Sequence, residues 1–366
     1  METIELPEIP RRAARSHKGD YGKVLIIGGS ETMIGAPALA ALAACRSGAG
    51  LCRIAAPREI LPHVIVICPC ATGYAINARE IKGLLAFAEE HDAVAVGPGF
   101  GQGPVSRRVV LELLQRHSGP LVLDADALNI LAALEASEWP VRGDWSNVVL
   151  TPHMGEFMRL MAAVMKRGGD IALAAAALGK TPEKGATPQR GHAMRRTLAS
   201  GDDDLPSTAD GIPLEMPDSS PPEPVSGFQP VALTTAPALA RQGDGDRSAL
   251  AELLSRGTGC VVVLKGHQTV IADGPRMAVN QTGNPAMATG GSGDVLTGVV
   301  AALIGQGFRC AEAAVLAAHV HGLAGDMAAA QIGPAGLLAT DIIAMLPRAL
   351  ATRLAAEGNA LPTGPR

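Results

Sequence analysis

Short apolar, β-branched runs alternate with helix-period stretches along most of this chain, and that alternation constrains its fold more than any other feature. Residues 23–27, 51–56, 64–67, 93–96, 121–123, 147–150, 260–264 and 269–272 read as strands. Residues 37–47, 78–90, 105–116, 127–134 and 153–165 read as helices, and 294–304, 311–330 and 340–351 as three more near the end. Within 78–90, Ile81, Leu84, Leu85 and Ala88 recur at the helical period. Strands apolar at nearly every position need cover on both faces, so the prediction is an α/β fold with a mostly parallel sheet between helical layers. Ligands of such sheets bind at loops that follow strand C-termini. The polar and glycine-rich segments fall there: 28–30, 97–101, 124–126, 151–156 and 265–269.

Composition narrows the chemistry. Of 366 residues, 47% are hydrophobic but only 2% aromatic, so the core has to be built from Ala, Val, Leu and Ile. The formal net charge is −4 and no Lys/Arg cluster is interleaved with aromatics, which argues against nucleic-acid binding. Any anionic ligand must then be held by local backbone dipoles. The six cysteines lie mostly in apolar patterns, and Cys68-Pro69-Cys70, the close pair, has no histidine at ligand spacing. Free thiols in a reducing compartment are expected rather than zinc or disulfides. Neither a leader with an apolar centre nor an uninterrupted apolar run of about 18 residues is present, so a soluble, cytoplasmic protein without a membrane span is predicted. Residues 181–230 hold nine of the 27 prolines and few large apolar side chains, and read as a flexible insertion in a domain spanning 16–350. Residues 170–178 read as a helix-like patch before it; residues 1–15 form a lead-in and 351–366 a tail.

The segment 282–298, TGNPAMATGGSGDVLTG, carries the sharpest chemical signal. Gly290, Gly291, Ser292 and Gly293 precede Asp294 and an apolar helical run. Glycines before a helix let several N–H groups converge where the helix dipole also favours negative charge, which makes a phosphate cradle. A carboxylate at the mouth of such a cradle suits a base that takes a proton from a hydroxyl involved in phosphoryl transfer. The structural alternative is an N-cap aspartate on a glycine-rich turn.

Six segments in order, HKGDYGKVLIIGGS (17–30), GPGFG (97–101), LDADALN (123–129), LTPHMGEF (150–157), LKGHQTVIADG (264–274) and GNPAMATGGSGDVLTG (283–298), closely resemble the ADP-dependent NAD(P)H-hydrate dehydratases. The resemblance covers residues 16–347 apart from the insertion, and implies a ribokinase-like three-layer αβα sandwich. It further implies a lyase on a kinase fold: ADP (ATP in some relatives) phosphorylates the hydroxyl of the S-form of hydrated NADH or NADPH, and phosphate then leaves. The products are AMP, phosphate and repaired cofactor. By the same resemblance, Lys265, Gly266, His267, Gln268 and Thr269 form the nucleotide loop together with Gly290, Gly291, Ser292 and Gly293. Asp294 is the catalytic base and touches the hydrate; Ala36, Gly99, Gly101, His153 and Asn284 hold the substrate.

Asp126 and Glu156 are further candidates, each with a bland reading as a helix cap or first-turn residue. Asp124 stays open between a structural and a ligand role. Lys265, directly after a buried strand, is expensive unless paired with an anion or at an exposed strand end, and reads as facing a ligand phosphate or ribose. Mg2+ is expected with the nucleotide phosphates, although no carboxylate trio marks a dedicated metal site. His319 and His321, two apart on a helix, read as packing residues. Ala286 stands where the family usually has glycine. The resemblance also implies a homo-oligomer, with a tetramer as one form, and coupling to a separate NAD(P)H-hydrate epimerase, the chain itself reading as a stand-alone dehydratase domain. A small-molecule kinase of the same superfamily, of the hydroxymethylpyrimidine or thiazole type, is the competing function.

Overall fold

Val24, Ile26 and Ile54 point to one side of a central sheet while Leu25, Ile27 and Ala55 point to the other, and both sets are buried. That is the period-2 alternation of strands covered on both faces. The computed structural model describes residues 2–166 and 244–356. Its strands are β1 (Glu2–Thr3), β2 (Lys23–Ile27), β3 (Leu51–Pro57), β4 (Thr72–Ile76), β5 (Ala93–Val96), β6 (Leu121–Leu123), β7 (Val148–Leu150), β8 (Val261–Leu264), β9 (Val270–Asp273) and β10 (Arg276–Val279). They join in one sheet in the order β1-β10-β9-β8-β7-β6-β5-β2-β3-β4. From β4 across to β8 every pairing is parallel; β9 runs antiparallel to both β8 and β10.

The helices are α1 (Gly35–Arg46), α2 (Leu61–Ile67), α3 (Ile81–Ala88), α4 (Pro104–Arg116), α5 (Ala125–Ala132), α6 (Met154–Lys166), α7 (Asp244–Thr258), α8 (Ser292–Gly305), α9 (Cys310–Ile332) and α10 (Ala339–Ala356). The Ala-rich α1, α8, α9 and α10 cover one face, and α3 to α7 cover the other. Small side chains let α1 and α8 pack closely: a Cβ on Gly298 would lie 2.0 Å from the Ala40 carbonyl oxygen. The expected three-layer sandwich is what forms.

Several local expectations need correction. Residues 64–67 are not a strand but the end of α2, and the sheet strand is β4. Pro62 sits at the helix start, where its missing N–H costs nothing, and the run is one-sided in burial: Val64 is buried while Val66 is 79% exposed. The β-branched composition of that run favoured a strand, but β-propensity follows burial context. Strand β10 and helix α7 were not anticipated. The expected tail begins later than residue 351, because α10 runs to Ala356. The proline-rich segment 181–230 and the patch 170–178 lie outside the described residues.

Helix α9 has the length and hydropathy of a membrane-crossing segment, yet 61% of its most apolar window is buried inside the protein. It is a core helix, packed against α8 and α10.

Candidate active site

Parallel strands deliver their C-terminal residues to one rim, and three of them, with one helix, place the central cluster. Asp124 follows β6, Thr151 and His153 follow β7, Lys265 follows β8, and α8 brings Asp294 and Thr297 from the glycine-rich turn. Asp124 is 1% exposed. Its carboxylate accepts from Lys265 Nζ (2.7 Å), Thr151 Oγ1 (2.8 Å) and Thr297 Oγ1 (2.7 Å). A buried carboxylate is tolerable only when charge-paired and hydrogen-bonded in this way. Burial on its own would lower the Lys265 ammonium, but Asp124 and Glu156 outweigh it and hold the group above the usual lysine range. The neighbour of Lys265 in the fold is therefore the Asp124 carboxylate, where the sequence suggests a ligand phosphate or ribose.

Gly291 caps α8 with φ 87°, the left-handed region that suits glycine, and turns the chain into the helix. Gly293 and Asp294 occupy the first turn, where N–H groups have no carbonyl four residues back. A Cβ on Gly293 would stand 3.1 Å from Lys265 Nζ, so the ammonium and the helix start share one spot. Next to Gly290 there is open space.

Burial, and then repulsion from Asp124, push Asp294 up to about 7; Lys265 pulls it down, and Asp126 and Glu156 add to the rise. The helix dipole favours the carboxylate here, but burial and the neighbouring acids win. The Asp294 carboxyl is thus brought by its surroundings to titrate near neutral pH.

His153 and Glu156 form a unit at the start of α6. The Glu156 carboxylate accepts from the His153 N–H (2.9 Å) and lies 3.4 Å from His153 Nε2. Nδ1 of His153 accepts from the Gly155 N–H at 3.0 Å, and Nε2 is the ring nitrogen that faces Glu156. Burial raises Glu156, against the pull of Lys265. His153 also bridges to Lys265 across the strand ends.

Asp126 does not cap a helix at residue 127, because α5 begins at Ala125; its carboxylate accepts from the Gly101 N–H (2.7 Å) and from Gln102 Nε2 (3.2 Å). A Cβ on Gly99 would meet Ala36 at 3.0 Å, so the 97–101 loop rests against the start of α1.

Residues 265–269 form the turn between β8 and β9. Gly266 has φ 149° and Gln268 φ 50°, and the Thr269 hydroxyl donates to Gly266 O at 3.1 Å. Arg247 of α7 braces this turn, donating to the carbonyls of Leu264, Lys265 and His267. Asn284 stands elsewhere on the rim. Its Nδ2 donates to Asp326 (2.8 Å), and its Oδ1 accepts from the N–H of Ala286, so the methyl group there is accommodated in an ordinary turn. Asn284, Pro285, Ala286, Asp326, Ala329 and Pro334 line an open hollow of about 420 Å3, in which Asp294 takes no part.

Sequence reasoning missed Thr151, Thr297, Arg247 and Asp326. A hydroxyl inside the apolar run of α8 and a carboxylate deep in the Ala-rich α9 were the available signals for Thr297 and Asp326. Arg247, just beyond the proline-rich stretch, had none. His321, read as packing, lies 3.4 Å from the Ser292 hydroxyl; burial drops it to about 4 and keeps it neutral.

A family model described as NAD(P)H-hydrate dehydratase matches residues 24–183 and 233–348. The chain belongs to the NAD(P)H-hydrate dehydratase family. It is 34% identical over 353 residues to a bifunctional NAD(P)H-hydrate repair enzyme Nnr of Moorella thermoacetica, covering 94% of this chain and 52% of that protein. The chain thus spans about half the length of the bifunctional relatives it matches. An ADP-dependent (S)-NAD(P)H-hydrate dehydratase of Neisseria meningitidis is 30% identical, covering 90% of this chain and 86% of the relative. The ADP/ATP-dependent NAD(P)H-hydrate dehydratase of Bacillus subtilis, co-crystallised with ATP/Mg2+, superposes with a TM-score of 0.64 at 26% identity, covering 94% of this chain and 95% of that one. A ribokinase-like superfamily protein of Enterococcus faecalis reaches the same TM-score at 22% identity, with 94% and 92% coverage. The family member therefore has a ribokinase-like fold.

Proposed function

We propose that this protein catalyses the ADP-dependent dehydration of the S-form of hydrated NADH and NADPH. The supporting observation is Asp294, a carboxylate titrating near neutral pH at a glycine-rich helix start beside Lys265. In this reading the nucleotide's terminal phosphate lies against Gly290, Gly291, Ser292 and Gly293, and the loop Lys265, Gly266, His267, Gln268 and Thr269 holds the rest of it. The hydrated ring is held by Ala36, Gly99, Gly101, His153 and Asn284 across from Asp294.

Asp294 takes the proton of the ring hydroxyl as its oxygen attacks the terminal phosphorus, and AMP leaves with the bridging electron pair. First-turn amides and the Lys265 charge stabilise the phosphoryl oxygens. Holding the two reactants together supplies much of the acceleration. Phosphate then departs with the C–O electron pair, pushed by the ring nitrogen, and loss of a proton from the adjacent carbon restores the double bond.

The oxygen donors Asp126 and Glu156 are the hard ligands that Mg2+ prefers, and Asp294 feels the charge of both. Bound with the nucleotide, Mg2+ would neutralise phosphate charge; the chain's own part is to hold those carboxylates on the rim. The activity is coupled to a NAD(P)H-hydrate epimerase that supplies the S-form. The protein works in the cytoplasm as a homo-oligomer, with a tetramer as one form.

Mixing purified protein with hydrated NADH and ADP or ATP is the direct test. Recovery of NADH absorbance together with AMP and inorganic phosphate supports the reading; a stable phosphorylated product without phosphate release would make the chain a kinase.

A further inference from the structure

Three cysteines from two separate stretches of the chain meet at the end of α1 remote from Ala36. Cys45 lies in the last turn of α1, Cys68 follows α2, and Cys70 is two residues on in the turn leading to β4. Their sulfur atoms all lie within 4.8 Å of one another, and those of Cys68 and Cys70 are 3.6 Å apart. A tetrahedral ion with sulfur ligands at ~2.3 Å holds them about 3.8 Å apart, so small rotamer adjustments suffice to close the set. Among the described residues, no other three histidines, cysteines or acids bring ligand atoms so close. A fourth thiol, the buried Cys52 on β3, lies close enough to Cys45 to raise it.

We propose that Cys45, Cys68 and Cys70, with Cys52 as the neighbouring fourth thiol, bind one thiophilic closed-shell ion, Zn2+ or Cu+. Thiolates select soft ions, whereas the oxygen donors on the rim suit Mg2+, so the two cations do not compete. Cys45 lies nine positions beyond Ala36 along α1, about 14 Å along the helix axis. The cysteine site is thus independent of the dehydratase reading.

Cys68 and Cys52 are buried, Cys45 is partly so and Cys70 is exposed, which gives an ion a way in at Cys70 and a dry seat behind it. Hydrogen bonding among the thiols, with burial, raises Cys45 and Cys68, and burial raises Cys70. Thiolate is the ligand form of cysteine, so binding an ion releases protons. Affinity consequently rises with pH. A bound ion ties α1 to the α2–β4 turn and, through Cys52, to β3.

The test uses the full chain, reduced, stripped by a chelator and titrated separately with Zn2+ and Cu+, with Co2+ as a spectroscopic probe. Roughly one ion per chain is expected, with intense sulfur-to-cobalt charge-transfer absorption, loss of thiols reactive to a colorimetric reagent, and a raised melting temperature. Cys70→Ser, at the exposed position, should weaken binding at least tenfold and keep the native circular-dichroism spectrum. Cys68→Ser should do the same where it folds, and Cys310→Ala on α9 should bind as the unmodified chain does. Failure of the reduced chain to take up either ion overturns the proposal. So does uptake indifferent to Cys70→Ser, or a Cys45–Cys68 disulfide in protein isolated under non-reducing conditions.

Discussion

In the proposed mechanism Asp294 and Lys265 divide the chemistry between a base and a fixed positive charge, and each can be removed separately. Asp294→Asn keeps shape and hydrogen bonding but cannot take a proton. Turnover of hydrated NADH should fall by roughly 10²–10⁴-fold, the usual worth of a general base, while nucleotide binding measured by calorimetry is kept or tightened. Little change in turnover would end the base assignment. Lys265→Met acts differently. It leaves Asp124, at 1% exposure, with two hydroxyl donors and no cation. Breaking such a pair costs about 3 kcal/mol, readable as a lowered urea midpoint. Lys265 also holds Asp294 down, so its loss should move the acidic limb of kcat/KM to higher pH. An unmoved limb would show that the lysine does not face the base. The sequence displayed Asp294 and Lys265 because each stands beside a glycine signature. It could not display their connection through Asp124, since the three belong to separate elements, β8, α8 and the β6–α5 junction, that only the folded sheet brings together.

Elements were legible where a periodic pattern was long, and illegible where burial context overrode composition. Strands β2, β5 and β6 fall where their apolar runs end. Helix α2 was read as a strand because Val64, Ile65, Val66 and Ile67 are β-branched, and nothing in the letters says that Val66 faces solvent. Strand β10, RMAV, is short, mixed in polarity and paired on one side only with the two-residue β1, so its pattern is weak. The contact between α1 and α8 carries a firmer prediction. Gly298 abuts the Ala40 carbonyl oxygen, and that close approach aims Asp294, one turn earlier, at the rim. Gly298→Val should force the helices apart, cost about 2–3 kcal/mol by overpacking, and depress kcat more than KM. A stable variant with native kinetics would mean that α1 and α8 yield freely, and that their spacing does not position the base.

For the whole molecule, the rim stores an electrostatic cost that folding has to carry. Asp294 keeps its proton in the folded state up to about pH 7, but in the unfolded chain only to about 3.8. Between those values the folded form binds the extra proton, so this group's contribution is fully present below pH 3.8 and is lost as pH rises through 7. Glu156, raised by burial, acts with the same sign. His321 works the opposite way. Folded, it stays neutral down to about 4, against 6.5 in the unfolded chain, so its contribution is present above 6.5 and disappears as pH falls toward 4. A plain stability-against-pH curve mixes these limbs, and comparison with Asp294→Asn separates them. The variant should match the parent near pH 4, gain on it steadily through pH 5 and 6, and level off above pH 7, more stable by on the order of 4 kcal/mol. Urea midpoints at constant ionic strength across that range measure it. The expected result is a protein made sturdier by deleting the base that its turnover needs. A difference constant with pH would show that Asp294 is ionised normally in the fold, and that the acids on the rim do not repel one another.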